Sequence, residues 1–505
     1  MKSTAGYKPN FWRTKLFESF SSLVANHFAS IKFVMEKIML SSTKFRSALL
    51  AVTALVVSAC GSSSSSNDSG ELRVLHGIAD APRVNVYLND NPDPVLSEVD
   101  FRTGSGYLAV DAGTYDIRVE AIIPDGNADV ISVEGFEVAV NTRSTIIATG
   151  DVSEGDIEPV AVDEPTEAIP AGQFRLRVTH GSFEAPPVYI ALTTPDAPID
   201  QAVLLGPLSF RGTTPALQFP EGDYQVRVTA KPQPLTDADV LYDSGALPLG
   251  AGADLHVVAV TSTVPSTAEA GSPISLVALD GSGAGDIFDV NTGAFLTIVH
   301  DAPGVPLVDV VADVVATTEI EEIFLTTDLP FSEFEPRQAV PALEFEVGVR
   351  LAGEPTAAFG FNADLMPGMG YTALAVIAAE TTMPAAQVLD DDYRSVATEA
   401  KVRLVHGAKA AGTVDVYVFA SDPVNLPLPG TGDPLLLLEG FEYGDETGFL
   451  SLPEGSYDVY VTLGGTTDVA IAVPGLAVAA GSVYTAIARE PIAGQTDFGV
   501  ILIAD

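Results

Sequence analysis

Four stretches of the chain alternate apolar and polar residues in the same way and end on the same side chain. They read LRVLH from Leu72, LRVTH from Leu176, LTIVH from Leu296 and VRLVH from Val402, closing on His76, His180, His300 and His406. In a β-strand, residues i, i+2 and i+4 share a face. Leu72 and Val74, Leu176 and Val178, Leu296 and Ile298, and Val402 and Leu404 therefore lie on the same side as their histidine. The pattern predicts four equivalent strands whose apolar face carries a histidine inward. Downstream, Val84, Val86 and Leu88 alternate, as do Val414, Val416 and Val418.

The similarity extends through each unit. YLAVDAGTYDIRV from Tyr107, ALQFPEGDYQVRV from Ala216 and FLSLPEGSYDVYV from Phe449 share a strand, a Gly turn and a Tyr-led strand. The third unit, with ALEFEVGVRLAG from Ala342, has lost the turn pair and the Tyr. Closing strands follow at Ser144, Leu255, Tyr371 and Val483. Period-two alternation over roughly seven short strands per unit predicts an all-β chain of four tandem antiparallel β-sandwich domains. We place them at 71–165, 172–282, 293–392 (the degenerate copy) and 399–505. The acidic or Gly-rich linkers Asp163–Gly172, Gly281–Gly293 and Asp390–Glu399 predict beads with modest interfaces.

Composition agrees with strands joined by turns. Apolar residues make up 47% of the 505, and 44 Gly and 35 Pro interrupt runs rich in Val and Ile. The net charge is -42; after residue 59 the chain holds 17 basic and 65 acidic side chains, a net of -48. Such a surface repels nucleic acid and anionic headgroups, so neither is expected as a partner.

The N-terminal region reads as an address. Lys44 and Arg46 precede the apolar run Ala48–Val57, and Val57-Ser58-Ala59 leads into Cys60, the only cysteine. A run of ten is too short to span a bilayer, which takes ~20 residues. The segment resembles a bacterial lipobox. That resemblance implies a signal peptide at 39–59, cleavage before Cys60 and lipid attachment to its thiol, with the bilayer as partner. Gly61 at the next position, where an Asp would retain an enteric lipoprotein at the inner membrane, implies the outer membrane, at its periplasmic face or the cell surface. Residues 60–70 form a Gly/Ser tether with a mean span of roughly 18 Å. Residues 1–38 precede a complete signal and read as an extension from a misplaced start, with Met35 and Met39 as alternative starts.

The repeated V-H-x(n)-A-P-x-V-D-V-Y, followed by L-P-x-G-x-Y-x-V-x-V, resembles the bacterial domain of unknown function family 4397, most clearly in units one, two and four. The resemblance covers nearly all of 71–505 and implies exported, tandem, immunoglobulin-like domains with no established activity. Tyr115, Tyr224 and Tyr457 resemble the tyrosine corner of immunoglobulin-type folds.

Chemistry-bearing motifs are missing from the sequence. It has no HExxH, no CxxC, no G-x-S-x-G elbow and no phosphate loop. No catalytic residue, metal ligand or cofactor site is expected. The repeated histidines read as core imidazoles satisfying backbone groups, against a competing reading as ligands of a shared site. His256, within a closing strand, reads as structural. Calcium is the rival cofactor, offered oxygen ligands by Asn89–Asp93, Asp125–Asp129 and Asp390–Asp392 without EF-hand spacing. The expectation is a lipid-anchored envelope protein with a structural, adhesive or ligand-presenting role toward a glycan or protein. The rivals are a calcium-stiffened adhesin and a carbohydrate- or peptide-processing enzyme.

Overall fold

The computed structural model describes residues 68–315, 322–422 and 428–504. Cys60, the signal segment, tether residues 60–67 and residues 1–38 lie outside them, whereas Ser69 and Gly70, read as the end of the tether, belong to the first strand. The first sandwich contains β1 (Ser69–His76), β2 (Val84–Leu88), β3 (Leu96–Val99), β4 (Leu108–Asp111), β5 (Gly113–Ala121), β6 (Ala128–Val138), β7 (Arg143–Asp151) and β8 (Asp156–Glu164). One sheet has the order β4-β1-β7-β8 and the other β3-β2-β5-β6. Every pairing is antiparallel except β1 with β7, which run parallel in register from Glu71–Arg143 to His76–Ala148. The described residues are all-β, with eight sheets forming four two-sheet sandwiches.

Among the described residues each sandwich contributes at least eight strands, one more than the alternation suggested, because β3 is four residues long and too short to display a period. The strand order also differs from the ABED and CFG sheets of an immunoglobulin constant domain. Here the first strand pairs with the fourth and seventh, and the second with the third and fifth. The second sandwich adds a ninth strand, Ala284–Ile287, inside the segment read as a linker.

The apolar half of each alternation fills the space between the two sheets. Val84, Val86, Leu96, Val99, Ile117 and Ile146 form the first core, with Val74 and Val119 packed on it. Phe174, Leu176, Val178, Val188 and Ile190 anchor the second core, and Leu296, Ile298, Val308, Val310 and Val347 the third. In the third sandwich the ALEFEVGVRLAG segment forms the strand Glu344–Leu351, with Phe345 opposite Val314. Tyr457 lies opposite Ala420 at the same register of the fourth sandwich, so Phe345 occupies the corner-tyrosine position.

The sandwiches are not beads. Leu75 and Ile147, on the outer face of the first sandwich, pack with Val258, Val260, Val277 and Leu279 of the second in one buried cluster. Val299, Leu374, Val376 and Leu389 of the third pack likewise with Val405, Ile487, Ile501 and Ile503 of the fourth. The expectation rested on linker composition, which carries no information about the sandwich faces that the linkers bring together. The face of the first strand opposite the histidine is covered by the neighbouring sandwich although it mixes apolar and polar residues: Arg73 with Leu75, Arg177 with Thr179, Thr297 with Val299 and Arg403 with Val405.

The last linker is tied down as well. Arg394 donates to the carbonyls of Ala79 (3.1 Å) and Ala81 (2.7 Å) and to Asp100 (2.5 Å) of the first sandwich. The Ala397 N–H donates to the Asp80 carbonyl at 2.8 Å.

Candidate functional site

The four histidines occupy one repeated environment. His76, His180 and His300 place Nε2 3.0 Å from the carbonyls of Pro82, Pro186 and Pro306, and His406 lies 2.7 Å from that of Gly412. Each partner is six residues ahead, so the ring ties the end of the first strand to the crossover into the second sheet. A carbonyl can only accept, which puts the proton on Nε2. Nδ1 then accepts, from the Ile78 N–H at 3.4 Å in the first sandwich and the Ala302 N–H at 3.3 Å in the third. All four residues are at most 3% exposed. Burial lowers each imidazole's pKa below its ordinary value, with the carbonyl opposing, so all four are neutral at pH 7.

An aromatic ring completes each environment. Phe101, Phe210 and Phe331 meet their histidines edge-on at 6.0–6.5 Å between centroids. Phe441 stacks on His406 at 6.1 Å, and Tyr443 meets it edge-on at 6.2 Å. Beside these rings the backbone closes on the histidine itself. Arg102, Arg211, Ser332 and Gly444 donate their N–H groups to the four histidine carbonyls at 2.7–2.9 Å. Sequence reading missed the phenylalanines because they follow their histidines by 25, 30, 31 and 35 residues, with no fixed spacing.

The densest polar cluster lies where the first two sandwiches meet. Glu164, at the end of β8, takes Arg73 (3.1 Å), Arg177 (3.3 Å) and His256 Nδ1 (2.7 Å), and Thr145 Oγ1 donates to it at 2.7 Å. His256 Nε2 lies 2.7 Å from Thr179 Oγ1, which lies 2.8 Å from Thr213 Oγ1. Burial opposes ionisation of Glu164, yet the hydrogen bond and, once it is protonated in acid, the charge of His256, with the Thr145 hydrogen bond and the Arg73 charge, outweigh it and hold its pKa down at about 2. Burial lowers the His256 pKa against the pull of Glu164. An ionised Glu164 and a neutral His256 assign the proton to Nδ1 and make Thr179 the donor to Nε2. Thr179, His256 and Glu164 thus form a hydroxyl–imidazole–carboxylate relay. Thr179 and His256 are at most 1% exposed, with the neighbouring sandwich where a substrate would have to stand.

The other pair carries a related cluster. Arg403 is 1% exposed, lies 2.7 Å from Asp391 and donates to Thr372 (3.0 Å), Thr485 (3.1 Å) and the Asp390 carbonyl (3.0 Å). The strand-to-strand register is the same throughout: Arg73 pairs with Thr145, Arg177 with His256, Thr297 with Thr372 and Arg403 with Thr485. His256 stands where the other three sandwiches have threonine.

The remaining repeated polar residues hold turns. Tyr115, Tyr224 and Tyr457 donate to the carbonyls of Asp111, Pro220 and Pro453, each four residues back, at 2.7–2.8 Å. Asp415 accepts the N–H groups of Gly440 and Gly465, both at 2.8 Å, and Asp309 accepts those of Asp328 (2.8 Å) and Gly353 (3.1 Å). Gly440 has φ +71° and Asp328 φ +56°, so the carboxylate caps a bulge whose backbone is left-handed. Several of the residues proposed for calcium are engaged with protein. Asp129 pairs with Arg118 (2.6 Å) and Asp392 with Lys401 (2.6 Å), and Asn91 accepts the Asp93 N–H (3.1 Å). Among the described residues, no group of three or more His, Cys, Asp or Glu side chains is arranged to hold a metal ion.

Two-sheet sandwiches, repeated in tandem and joined in pairs through buried faces, define the class of protein. The chain carries two copies of the domain of unknown function DUF4397, at residues 70–191 and 294–417. Each match runs from six residues before the histidine of one sandwich (His76, His300) to eleven after that of the next (His180, His406). The third sandwich, the most degenerate by motif, therefore lies within a match. No curated protein sequence matches the chain. Among solved structures, the TIE protein of Bacillus anthracis is 11% identical, covering 85% of this chain and 75% of its own, with a TM-score of 0.15. A fimbrial assembly protein from Parabacteroides distasonis is 12% identical over 44% of this chain and 100% of its own, with a TM-score of 0.18. A protein assigned to cell adhesion in Bacteroides uniformis is 15% identical over 45% and 99%, also at 0.18.

Proposed function

We propose that this chain is an exported, lipid-anchored protein of the bacterial envelope. Its four sandwiches act as a rigid, non-catalytic scaffold that presents an adhesive or ligand-binding surface beyond the membrane. The observation that carries the reading is how the polar residues are spent. Each repeated histidine and corner tyrosine closes a backbone group, and the buried Glu164 cluster fastens one sandwich to the next. A molecule whose special side chains hold its modules still is suited to bearing load or fixing the position of a surface. The excess of acidic side chains keeps that surface away from nucleic acid and directs the search toward glycans and basic protein segments.

The test is metabolic labelling of the full chain and its Cys60→Ser variant with a palmitate analogue, followed by membrane fractionation and glycan and protein array binding. The reading expects label and membrane retention in the wild type only, with equal array binding by both proteins. Equal labelling of the variant would remove the anchor. A catalytic turnover of any arrayed ligand would remove the scaffold.

A further inference from the structure

The third sandwich departs from the other three at the residue after its histidine. His76, His180 and His406 are followed by Gly77, Gly181 and Gly407, whereas His300 is followed by Asp301. In the first pair both glycines sit against the neighbouring sandwich. A Cβ built on Gly77 would lie 3.6 Å from Val260 of the second sandwich, and one on Gly181 3.6 Å from Thr149 of the first. In the second pair the Asp301 side chain reaches across the joint. A Cβ on Gly407 would lie 1.8 Å from Asp301 Oδ2, so only glycine leaves room for that carboxyl group.

Asp301 is 0% exposed, and neither of its carboxyl oxygens has a hydrogen-bond partner. Its own N–H is satisfied by the Ala375 carbonyl at 2.8 Å. The charged and titratable groups nearby are engaged elsewhere. From the fourth sandwich, Glu490 accepts the Ala410 N–H (2.6 Å), and Arg489 donates to the Glu490 carbonyl (2.9 Å). Tyr443 donates to the Ile377 carbonyl (2.5 Å), beneath Lys409, which is itself bound to the carbonyls of Ala378 (2.7 Å) and Thr381 (2.6 Å). From the third sandwich, the neutral His300 is committed to Pro306. Among the described residues, no cation pairs with the carboxyl group.

We propose that Asp301 is a proton-dependent latch: the third and fourth sandwiches pair with its carboxyl group neutral, and release of the proton to solvent loosens that joint. A neutral carboxyl tolerates an apolar seat, whereas an ionised one without partner or water is among the most destabilising groups a protein can bury. Burial, and secondarily the Glu490 charge, raise its pKa well above the ordinary carboxyl range, with Arg489 offsetting only part. A folded-state value above the unfolded one fixes the sign. The contribution is whole below the ordinary carboxyl range and is lost as pH rises through the folded value. The first pair has glycine at both positions and serves as the reference within the same molecule.

The experiment compares the full chain with Asp301→Asn and Asp301→Gly. Thermal unfolding is followed by hydrogen exchange of Gly370–Ile377 and Val483–Arg489, with Arg143–Asp151 and Asp254–Thr261 as reference. From mildly acidic to mildly alkaline pH, the wild-type midpoint of the second pair falls relative to the first, and both variants abolish that relative fall. Variants that retain the wild-type slope, or a wild type without one, overturn the proposal. Infrared titration of the wild type decides the matter even where a variant misfolds. A protonated-carboxyl band must persist at neutral pH and vanish in step with loss of protection in the second pair; its absence at neutral pH overturns the latch.

Discussion

His256 Nδ1 lies 2.7 Å from Glu164 Oε1, so a buried imidazole N–H of the second sandwich donates to a carboxylate of the first. The pair is flanked by Arg73 and Arg177, one from each sandwich, and surrounded by the apolar cluster of Leu75, Ile147, Val258 and Val277. Removing the carboxylate would leave two guanidinium groups in a dry joint without their counter-charge.

Glu164→Gln should therefore destabilise the first pair by about 3–5 kcal/mol, the usual cost of breaking a buried ion pair from one side. The pH dependence has a definite sign. Glu164 is depressed to about 2, so its contribution is present above its unfolded value near ~4.3 and is lost as pH falls from there toward about 2. Unfolding midpoints of wild type and variant, measured across acidic pH, should converge. Parallel curves would mean the charge is immaterial.

His406→Ala should cost ~1–3 kcal/mol, because it strands the Gly412 carbonyl and opens space beside Phe441 and Tyr443. Denaturant unfolding of the full chain reads this as a lower midpoint for the second pair. An unchanged midpoint would return the histidine to the list of ligand candidates.

Tyr457→Phe removes the 2.7 Å bond to the Pro453 carbonyl at a site 4% exposed, and should cost about 1 kcal/mol. The same change at half-buried Tyr115 or Tyr224 should cost less, because water can replace the lost donor there. Thermal denaturation of the three single variants gives the order, and an equal loss at all three would contradict it.

Much of the fold was legible because alternation and the Gly–Tyr turn are local signals. Leu72, Val74 and His76 announce their common face within five residues. The pairing of sandwiches was not legible. It depends on Leu75 meeting Val258, Val260, Val277 and Leu279, 183 to 204 positions away, and on Glu164, which sits in a stretch whose composition reads as a linker. The strand Ala284–Ile287 was hidden for the same reason: two of its four residues are Ala and Gly, and only its neighbour Ile274–Leu279 makes it a strand. Asp301 is visible as a break in the repeat, but its burial follows from Gly407 across a joint the sequence does not reveal.

If the sandwiches unfold as two fused pairs, hydrogen exchange on the Ile117→Ala variant will show it. Ile117 is 3% exposed in the core of the first sandwich, away from the joint, and its truncation should cost ~2–5 kcal/mol. Fused pairs predict that protection falls together in Arg143–Asp151 of the first sandwich and Asp254–Thr261 of the second, while Gly370–Ile377 and Val483–Arg489 keep theirs. Loss confined to the first sandwich, with Asp254–Thr261 as protected as in the wild type, would contradict the account.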